Sequence, residues 1–296
     1  MMNTPLLLII YNRPDKVKEL ILSLSKIKPQ NIYVFCDGPK NKEDEGNVKQ
    51  SRELISKINW TKKIKTNYLT KNKGCKNGVN ASLDWFFANV KEGIILEDDC
   101  IPNLSFFKFT SELLEYYKNN KRISIITGFN AGNKLKNYKY DYYFSIYGGV
   151  WGWASWRNRW QEYRKSNLSN LLSNKRLLIS LKDKGVSSFF IKNVKDSISG
   201  KLNTWDYMWT FYNMTEGRLS VVPQKNFISN IGFGEDATHT KSLSDMAKIK
   251  REKLDKKISH PVDVLPSKEI DRQRSLNHNK YYQIIRFIKT KLGIFN

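Results

Sequence analysis

The stretch Gly93-Ile94-Ile95-Leu96-Glu97-Asp98-Asp99 joins an apolar run directly to three consecutive acids. A continuous apolar run of this kind is typical of a strand that is buried on both faces of a sheet. Adjacent carboxylates disfavour joint ionisation, so the three acids need a cation close by. In an extended segment, Glu97 and Asp99 would point to one side and Asp98 to the other. The stretch therefore predicts a central strand that delivers carboxylates to a charged site.

The residues upstream of this stretch alternate between apolar runs and helical periodicity. The predicted strands cover residues 6–10, 32–35, 66–69 and 94–96, and the predicted helices cover residues 15–24, 51–58 and 78–90. Strands that alternate with helices in this way form a parallel sheet with helices on both faces. The sequence therefore predicts an α/β fold class.

Polar residues follow each of the four predicted strands. They are Asn12 and Arg13, Asp37 and Gly38, residues 71–74, and Glu97 to Asp99. In open α/β sheets, ligands bind at the carboxyl ends of the strands. Because all four strand ends carry polar chemistry, we expect these residues to meet at one ligand site.

The acidic stretch has a functional and a structural explanation. Carboxylate oxygens are hard ligands that suit Mg²⁺ or Mn²⁺, and proteins commonly bind these ions through one or two carboxylates together with substrate phosphates. Alternatively, the acids cap a helix that begins near Asn103. The polar residues at the other three strand ends favour the metal site.

The chain carries 51 Lys and Arg residues against 28 Asp and Glu, which gives its 296 residues a formal net charge of +23. Such a charge favours polyanionic partners: nucleic acid, an acidic membrane surface or phosphorylated substrates. A general enrichment in Lys, Asn and Ile explains the same charge without any partner. The lysines are spread along the whole chain and form no known nucleic-acid-binding motif, so nucleic acid is not an expected partner.

Cysteine usage and hydropathy indicate where the protein works. The three cysteines, Cys36, Cys75 and Cys100, are odd in number and form no Cys-x-x-Cys pair. This pattern is typical of free thiols in a reducing compartment. No stretch reaches the roughly 18 apolar residues that a membrane-spanning helix needs. We therefore expect a cytoplasmic protein, either soluble or in peripheral contact with the inner face of the membrane.

Several motifs of the chain resemble one family of enzymes. The segment GIILEDDCIPNLSFF (93–107) resembles the metal-binding DxD region of GT-A glycosyltransferases, most of all bacterial hemolytic-protein-like sugar transferases and more distantly animal N-acetylglucosaminyltransferase I. Further segments that resemble the family, in the same order, are YNRP (11–14), CDG (36–38), GGVWGWASW (148–156), NTWDYMW (203–209) and NIGFGEDATHT (230–240). The resemblance covers residues 5–240. It implies a GT-A (Rossmann-like) fold, with a mixed, mainly parallel sheet flanked by helices.

The resemblance also implies roles for residues that match the motifs. Asp99 would hold Mn²⁺ or Mg²⁺, and His239 would complete the metal shell, with an ordinary loop histidine as the alternative. Asp98 would meet the ribose, while Glu97 would support the site or touch the sugar. The implied nucleotide-binding residues are Asn12 and Arg13 (phosphate or base), Asp37 with Gly38 and Asn77 (base), Glu97 and Asp98.

An inverting transfer also needs a carboxylate that deprotonates the acceptor hydroxyl. Asp206 is the candidate, although the animal enzymes carry two adjacent acids where this chain has Asp206 followed by Tyr207. Glu235 and Asp236, in the glycine-rich loop, are rival candidates. The structural explanation of Asp206 is an acid at a helix N-terminus, where the macrodipole stabilises it.

The aromatic run around Trp151, Trp153 and Trp156 has two explanations as well. Flat rings could line an acceptor groove, because they stack against the faces of sugars. Aromatic residues this dense more often belong to the core. We expect the core for most of them.

The resemblance ends near residue 240, and this limit sets the expected domains. Residues 1–240 would form the transferase domain, with a nucleotide-binding half at 1–100 and an acceptor half at 101–240. Residues 241–296 would form a basic extension. In it, the apolar spacing at 279–295 predicts an amphipathic helix that either lies on an acidic membrane or docks on the domain.

The function implied by the resemblance is sugar transfer from a nucleotide-diphosphate donor, with a UDP-sugar favoured, to a glycan or lipid-linked saccharide acceptor. Inversion at the anomeric carbon and a role in bacterial surface polysaccharide synthesis are implied in the same way. One alternative is a sugar-phosphate nucleotidyltransferase, although such enzymes carry a glycine-rich loop after the first strand and YNRPDK (11–16) contains no glycine. The other is a basic nucleic-acid-binding protein without enzymatic activity.

Overall fold

A computed structural model of the protein describes residues 3–233 and 249–277. These residues form a mixed α/β structure in which a large, mainly parallel sheet carries helices on both faces, so the predicted fold class is confirmed. The strands are β1 (Leu6–Ile10), β2 (Asn31–Cys36), β3 (Lys63–Tyr68), β4 (Glu92–Glu97), β5 (Cys100–Pro102), β6 (Ile123–Thr127), β7 (Tyr142–Ser145), β8 (Trp153–Trp156), β9 (Leu219–Pro223) and β10 (Ile228–Asn230). The helices are α1 (Pro14–Ser25), α2 (Lys42–Ser56), α3 (Gly74–Asn89), α4 (Leu104–Tyr117), α5 (Arg157–Lys165), α6 (Leu168–Ser173), α7 (Lys175–Asp183), α8 (Ser188–Ile198), α9 (Asp206–Thr215) and α10 (Lys268–Asn277).

A sheet of eight strands, in the order β3-β2-β1-β4-β8-β6-β9-β7, organises the described residues. β1 pairs in parallel with both β2 and β4, and β2 pairs in parallel with β3, as the alternating sequence pattern predicts. β8 lies antiparallel between β4 and β6. The sequence pattern did not predict β8, because all four of its residues are buried and show no alternation of polar and apolar side chains.

Side chains of the central strand β1 alternate between two apolar layers. Leu6 and Leu8 pack in the layer with α1, α2 and α4, whereas Leu7 packs with α3, α5 and α9 on the other face. All three leucines are fully buried. Burial of one such side chain contributes about 1.5–3 kcal/mol, so each residue of the strand resists a shift in register. This double burial fixes the carboxyl ends of β1 and β4 in space.

Aromatic rings fill the layer that contains α3, α5 and α9. Trp153, Trp160 and Trp209 are almost fully buried, and the Trp160 and Trp209 rings meet edge to face with centroids 5.5 Å apart. Trp156 is buried in the opposite layer. The prediction that most tryptophans of the aromatic run belong to the core is therefore confirmed. Trp151 differs from them, because it is only partly buried.

Helix α2 begins earlier than the sequence predicts. The predicted helix covered residues 51–58, whereas α2 begins at Lys42. Asn41 caps the helix, since its side chain accepts a hydrogen bond from the Asp44 backbone N–H at 3.0 Å. Three acids in the first turn add a favourable interaction with the helix macrodipole. A polar first turn of this kind is invisible to a search for apolar periodicity.

The C-terminal part of the described chain packs onto the same body. Leu254 and Ile258 are buried in the layer that contains α4. In α10, the Asp271 carboxylate accepts a hydrogen bond from Ser145 Oγ at 2.6 Å, which ties the helix to β7. The predicted amphipathic helix at 279–295 lies outside the described residues. Within the described ranges, the helices are too short or too polar to cross a lipid bilayer.

The close contact between β4 and α3 predicts the effect of one substitution. A Cβ on Gly93 would lie 2.3 Å from Phe86 Cζ and 2.9 Å from the Pro5 carbonyl oxygen. We expect Gly93→Ala to lower the free energy of unfolding by about 1–3 kcal/mol, because the buried ring must move. Gly46→Ala, at an exposed position of α2 with open space around it, should instead raise that free energy by about 0.5–1 kcal/mol. Urea denaturation of the two variants checks the contrast, and equal stability would contradict it.

Candidate active site

A cavity of about 170 Å³ lies where the carboxyl ends of β1 and β4 meet the start of α9, and we call it the acidic cavity. Four residues predicted from the sequence line it together: Arg13, Glu97, Asp99 and Asp206. The other lining residues are Cys75, Val150, Trp151, Thr204, Trp205, Asn230, Gly232 and Phe233. The predicted meeting of strand-end residues thus occurs for Arg13 and the acidic stretch.

Arg13 holds the acidic stretch together. Asp98 and Asp99 lie in a turn between β4 and β5, so the expected alternation of an extended segment is wrong. The Arg13 guanidinium pairs with both carboxylates: Nη1 lies 3.1 Å from Asp99 Oδ2, while Nη2 and Nε contact Asp98. These charge-assisted contacts offset the repulsion between the acids. The acids do not cap the next helix either, because the side chain of Asn103 caps α4.

Burial and like charges change the protonation of the turn. Burial, together with Asp99 and Asp98, raises the pKa of Glu97 to about 8. Burial also raises the pKa of Asp98 to about 6, and Arg13 opposes this shift. For Arg13, burial disfavours the charged form, but Asp98 and Asp99 outweigh it and raise the pKa of the guanidinium. At neutral pH the turn therefore keeps a proton on Glu97 that a bound cation would displace.

The chain around β10 closes over Asp99. The Ile231 backbone N–H donates to the Asp99 carbonyl oxygen at 2.9 Å, and Asn230 Nδ2 lies 3.4 Å from Asp99 Oδ1. Gly232 approaches so closely that a Cβ there would lie 2.1 Å from Asp99 Oδ2. Neither Asn230 nor Gly232 was predicted. Both stand in the NIGFG motif, but they are not titratable, and their contact with Asp99 depends on a pairing of β5 with β10 that the sequence does not reveal.

The acidic cavity offers hard oxygen ligands for a divalent cation. The carboxylates of Glu97 and Asp99 both line it. Because Mg²⁺ and Mn²⁺ are commonly held by one or two carboxylates plus phosphate oxygens, this donor set fits them. In the part of the chain that the structure describes, no group of three His, Cys, Asp or Glu residues could hold a metal ion by itself. The predicted ligand His239 and the rival bases Glu235 and Asp236 lie outside the described residues.

Asp206 enters the cavity from the first turn of α9. Its carboxylate accepts a hydrogen bond from Thr204 Oγ1, and the preceding Trp205 is buried and stacks on Trp153 with ring centroids 5.7 Å apart. The charge of Asp206 is also one cause of the raised pKa of Glu97. Asp206 thus stands both at the start of α9 and in the cavity. This position agrees equally with a catalytic base and with an acid that the helix macrodipole stabilises.

Asp37 and Gly38 close the turn after β2. The Asp37 carboxylate accepts hydrogen bonds at 2.9–3.0 Å from the backbone N–H groups of Gly38, Lys73 and Gly74. A Cβ on Gly38 would lie 2.5 Å from the carbonyl carbon of Lys71. Both residues therefore fasten the loop that begins α3. Their expected contact with a nucleotide base stays a prediction.

Asn12 contacts the start of α2. Its Nδ2 donates to Asp44 Oδ1 at 2.6 Å, and the Tyr11 hydroxyl donates to Asp44 Oδ2 at 2.6 Å. Burial and the Asp44 carboxylate raise the pKa of Tyr11. Asp44 was not predicted, because it stands in a polar stretch without a motif. Asn77 lies in a separate groove along α3, so the nucleotide-binding roles of Asn12 and Asn77 stay predictions.

Cys75 and Trp151 complete the wall of the cavity. Burial, followed by the charges of Glu97 and Asp206, raises the pKa of Cys75 to about 12, so it is a neutral thiol and a poor nucleophile at pH 7. All three cysteines are free, as expected. Trp151 contacts Phe233 edge to face, with ring centroids 5.6 Å apart. The partly buried Trp151 ring therefore gives the cavity an apolar, aromatic side in addition to its charged acids.

Comparisons of sequence leave the family open. No protein-family model matches the chain. A search of curated protein sequences finds no match either.

Comparison with solved structures finds distant likenesses at low identity. A UDP-glucose pyrophosphorylase in complex with UDP-glucose is 8% identical, with a TM-score of 0.39, over 76% of this chain and 92% of that one. A 4-diphosphocytidyl-2C-methyl-D-erythritol synthase from Anaerococcus prevotii is 11% identical, with a TM-score of 0.32, over 55% of this chain and 78% of that one. A protein from Bacillus anthracis described as a glucose-1-phosphate thymidylyltransferase is 9% identical, with a TM-score of 0.33, over 55% of this chain and 76% of that one. These likenesses concern the fold, and they do not single out GT-A glycosyltransferases.

The raised pKa of Glu97 makes stability depend on pH. Between its ordinary value of 4.5 and its value of about 8, the folded protein binds more protons at Glu97 than the unfolded chain does, so this residue's contribution to stability falls as pH rises. Glu97→Gln removes the titrating group and therefore this decrease in stability with rising pH. The free energy of unfolding of the variant, relative to wild type, should increase from pH 5 to pH 8 by on the order of 1–3 kcal/mol.

Urea denaturation at several pH values measures this difference. Glu53→Gln, at an exposed position of α2, is the control and should follow wild type at every pH. Parallel pH profiles for Glu97→Gln and wild type would contradict the assignment.

Proposed function

We propose that the protein is a metal-dependent glycosyltransferase that moves a sugar from a nucleotide-diphosphate donor to a glycan or lipid-linked acceptor. The observation that carries the proposal is the acidic cavity, where Arg13, Glu97, Asp99 and Asp206 meet at the ends of the central strands. A cation site, an arginine for phosphate and a second carboxylate for proton transfer are the parts that such a reaction uses. The ordered motifs that resemble GT-A glycosyltransferases support the same function.

The donor would bind with its diphosphate at the acidic turn. Asp99, together with His239, would hold Mn²⁺ or Mg²⁺, with Glu97 supporting the site or touching the sugar, while Arg13 would contact phosphate and Asp98 the ribose. When bound, the cation supplies Lewis-acid stabilisation of the charge on the leaving diphosphate. Because Arg13 pairs with Asp99 in the free protein, donor binding exchanges an internal ion pair for contacts with the ligand. A UDP-sugar is the favoured donor.

Asp206 would act as the base of an inverting transfer. The acceptor hydroxyl gives its proton to the Asp206 carboxylate while its oxygen forms a bond to the anomeric carbon of the donor sugar. The bond from that carbon to the diphosphate oxygen breaks, and the nucleotide leaves with the electron pair. The cavity that Asp206 shares with Asp99 supports this role, and the Trp151 ring offers a flat apolar surface for a sugar.

The proposal includes a cellular setting. Residues 1–240 would form the transferase domain and residues 241–296 a basic extension that contacts acidic lipid at the inner face of the membrane. The net charge of +23 supports an anionic surface or substrate as the partner. The product would enter bacterial surface polysaccharide.

A sugar-phosphate nucleotidyltransferase is the second candidate. The distant solved structures named above, with TM-scores of 0.32–0.39, include proteins described as a glucose-1-phosphate thymidylyltransferase and a UDP-glucose pyrophosphorylase. Against it, the connection from β1 to α1 spans only residues 11–13 and contains no glycine. Incubation with UTP and glucose 1-phosphate separates the two, because only the second candidate releases pyrophosphate. Only the first releases UDP from a UDP-sugar.

Nucleotide binding is the first test of the proposed function. A thermal-shift screen of UDP, GDP, CDP and dTDP, each with and without Mn²⁺, should show one metal-dependent increase in Tm. At 100 times Kd, binding adds about 2.7 kcal/mol to stability, which raises Tm by about 5 °C or more. Asp99→Asn should abolish the shift, because it removes a charged ligand.

Asp183→Asn, on the exposed surface of α7, is the matched control and should keep the shift. No metal-dependent shift with any of the four nucleotides would overturn the proposal. A shift retained in Asp99→Asn would remove Asp99 from the metal site.

The role of Asp206 predicts a separation of binding from catalysis. Asp206→Asn should lower kcat for release of UDP from a UDP-sugar by about 10²–10⁴-fold, the usual contribution of a general base. Its metal-dependent thermal shift with UDP should match that of wild type. A coupled assay for UDP measures the rate. Unchanged kcat would show that Asp206 is not the base and has only a structural role at the start of α9.

A further inference from the structure

Asp44, in the first turn of α2, connects the ends of two neighbouring strands. Its Oδ2 accepts hydrogen bonds from the Tyr11 hydroxyl at 2.6 Å and from the Lys40 backbone N–H at 3.1 Å. Its Oδ1 accepts another from Asn12 Nδ2 at 2.6 Å. Tyr11 and Asn12 follow β1, whereas Lys40 belongs to the loop after β2. One carboxylate therefore joins both strand ends to the start of α2.

The position of this carboxylate is fixed by α2 itself. The Asp44 backbone N–H donates to the side chain of Asn41, which caps the helix, at 3.0 Å. Helix α2 in turn packs against α1 in the apolar layer that contains Val17 and Val48. Apolar packing thus joins the two helices independently of Asp44, whose hydrogen bonds reach the strand ends instead.

The residues that Asp44 binds lie directly before Arg13. Only three residues connect β1 to α1, and Arg13 is the last of them. Pro14 begins the helix, and a proline restricts the backbone of the residue before it, so Arg13 has little backbone freedom of its own. The direction of its side chain therefore depends on the two preceding residues, and both of them bind Asp44.

The acidic turn holds the same connection from the other side. The Arg13 guanidinium pairs with Asp98 and Asp99, and the Tyr11 backbone hydrogen-bonds with the Asp98 carboxylate. Asp44 does not occur among the described residues that line the acidic cavity. Loss of Asp44 would therefore remove one of two anchors of the connection and leave every group that lines the cavity in place.

We propose that Asp44 is a positioning residue, which holds the connection after β1 so that Arg13 is directed at the diphosphate of the donor. The role in donor binding rests on the proposed function, whereas the positioning rests on the contacts of Tyr11 and Asn12. A side chain that is already directed loses less conformational entropy when its ligand arrives, so a fixed Arg13 binds phosphate more tightly than a free one.

Isothermal titration with UDP and Mn²⁺ tests the role in binding. Asp44→Ala should raise Kd about tenfold, because Arg13 loses its fixed direction. Tyr11→Phe removes only one hydrogen bond and should raise Kd by about threefold. Asp44→Asn should rescue most of the loss, since its amide oxygen can still accept from Asn12 and its amide NH₂ can donate to the Tyr11 oxygen.

Asp84→Ala is the matched control. The Asp84 carboxylate also accepts two side-chain hydrogen bonds, from Trp160 Nε1 at 2.8 Å and from Arg164 Nε at 3.0 Å, and these join α3 to α5. Its loss should lower Tm as the loss of Asp44 does, but it should leave Kd for UDP unchanged. The comparison separates positioning from a general loss of stability.

Hydrogen exchange in the free protein tests the positioning without any nucleotide. Backbone amides in peptides that cover residues 11–17 and 97–101 should exchange faster in Asp44→Ala than in wild type, because the connection and the acidic turn share contacts. Peptides from α9 should exchange as in wild type, and Asp84→Ala should change neither of the first two peptides.

Three results would overturn the proposal. They are an unchanged Kd for UDP in Asp44→Ala, an equal increase in Kd in Asp84→Ala, and unchanged exchange in both peptides of Asp44→Ala. If wild type binds no nucleotide while Asp44→Ala speeds exchange in those peptides, the positioning stands and the proposed function fails. If wild type binds UDP and Asp44→Ala binds it equally well, the proposed function stands and the positioning fails.

Discussion

Three carboxylates stand side by side at the carboxyl end of β4, and one guanidinium offsets the repulsion between two of them. Arg13 reaches Asp98 and Asp99 from the β1–α1 connection, with 3.1 Å between Nη1 and Asp99 Oδ2. Removal of one partner from a buried ion pair costs about 3–5 kcal/mol, a large fraction of the stability of a domain. The pair also joins the ends of neighbouring parallel strands, so the position of the turn and the shape of the cavity depend on the same contact.

The parallel half of the sheet was predictable because β1, β2 and β4 are continuous apolar runs, and such runs have few alternatives to a doubly buried strand. The same rule brought Arg13, Glu97 and Asp99 together, since strand ends converge. Short elements were not predictable. β5 and β10 have three residues each, and their pairing alone brings Asn230 and Gly232 to the acids. A glycine that matters because a carboxylate lies against it has no signature in the sequence.

The electrostatics of the protein act over two distances. The net charge of +23 produces a positive field around the whole molecule, which attracts an anionic ligand during encounter. At physiological ionic strength this field decays over about 8 Å, so it does little for groups in contact. The acidic turn is governed by its neighbours instead, and Arg13 offsets part of its negative charge. Under the proposed function, a ligand that combines phosphates with a divalent cation would suit both the positive field and the acidic turn.

The two-stranded ladder of β5 and β10 joins the two sides of the acidic cavity. Asp99 immediately precedes β5, and three residues beyond β10 the chain reaches Phe233, which contacts Trp151 on the aromatic side of the cavity. The ladder consists of three residue pairs. Beyond it, Gly232 lies against the Asp99 carboxylate and Phe233 lies against Trp151, so two adjacent residues contact the acidic and the aromatic side of the cavity. The ladder thereby sets the spacing between these two sides.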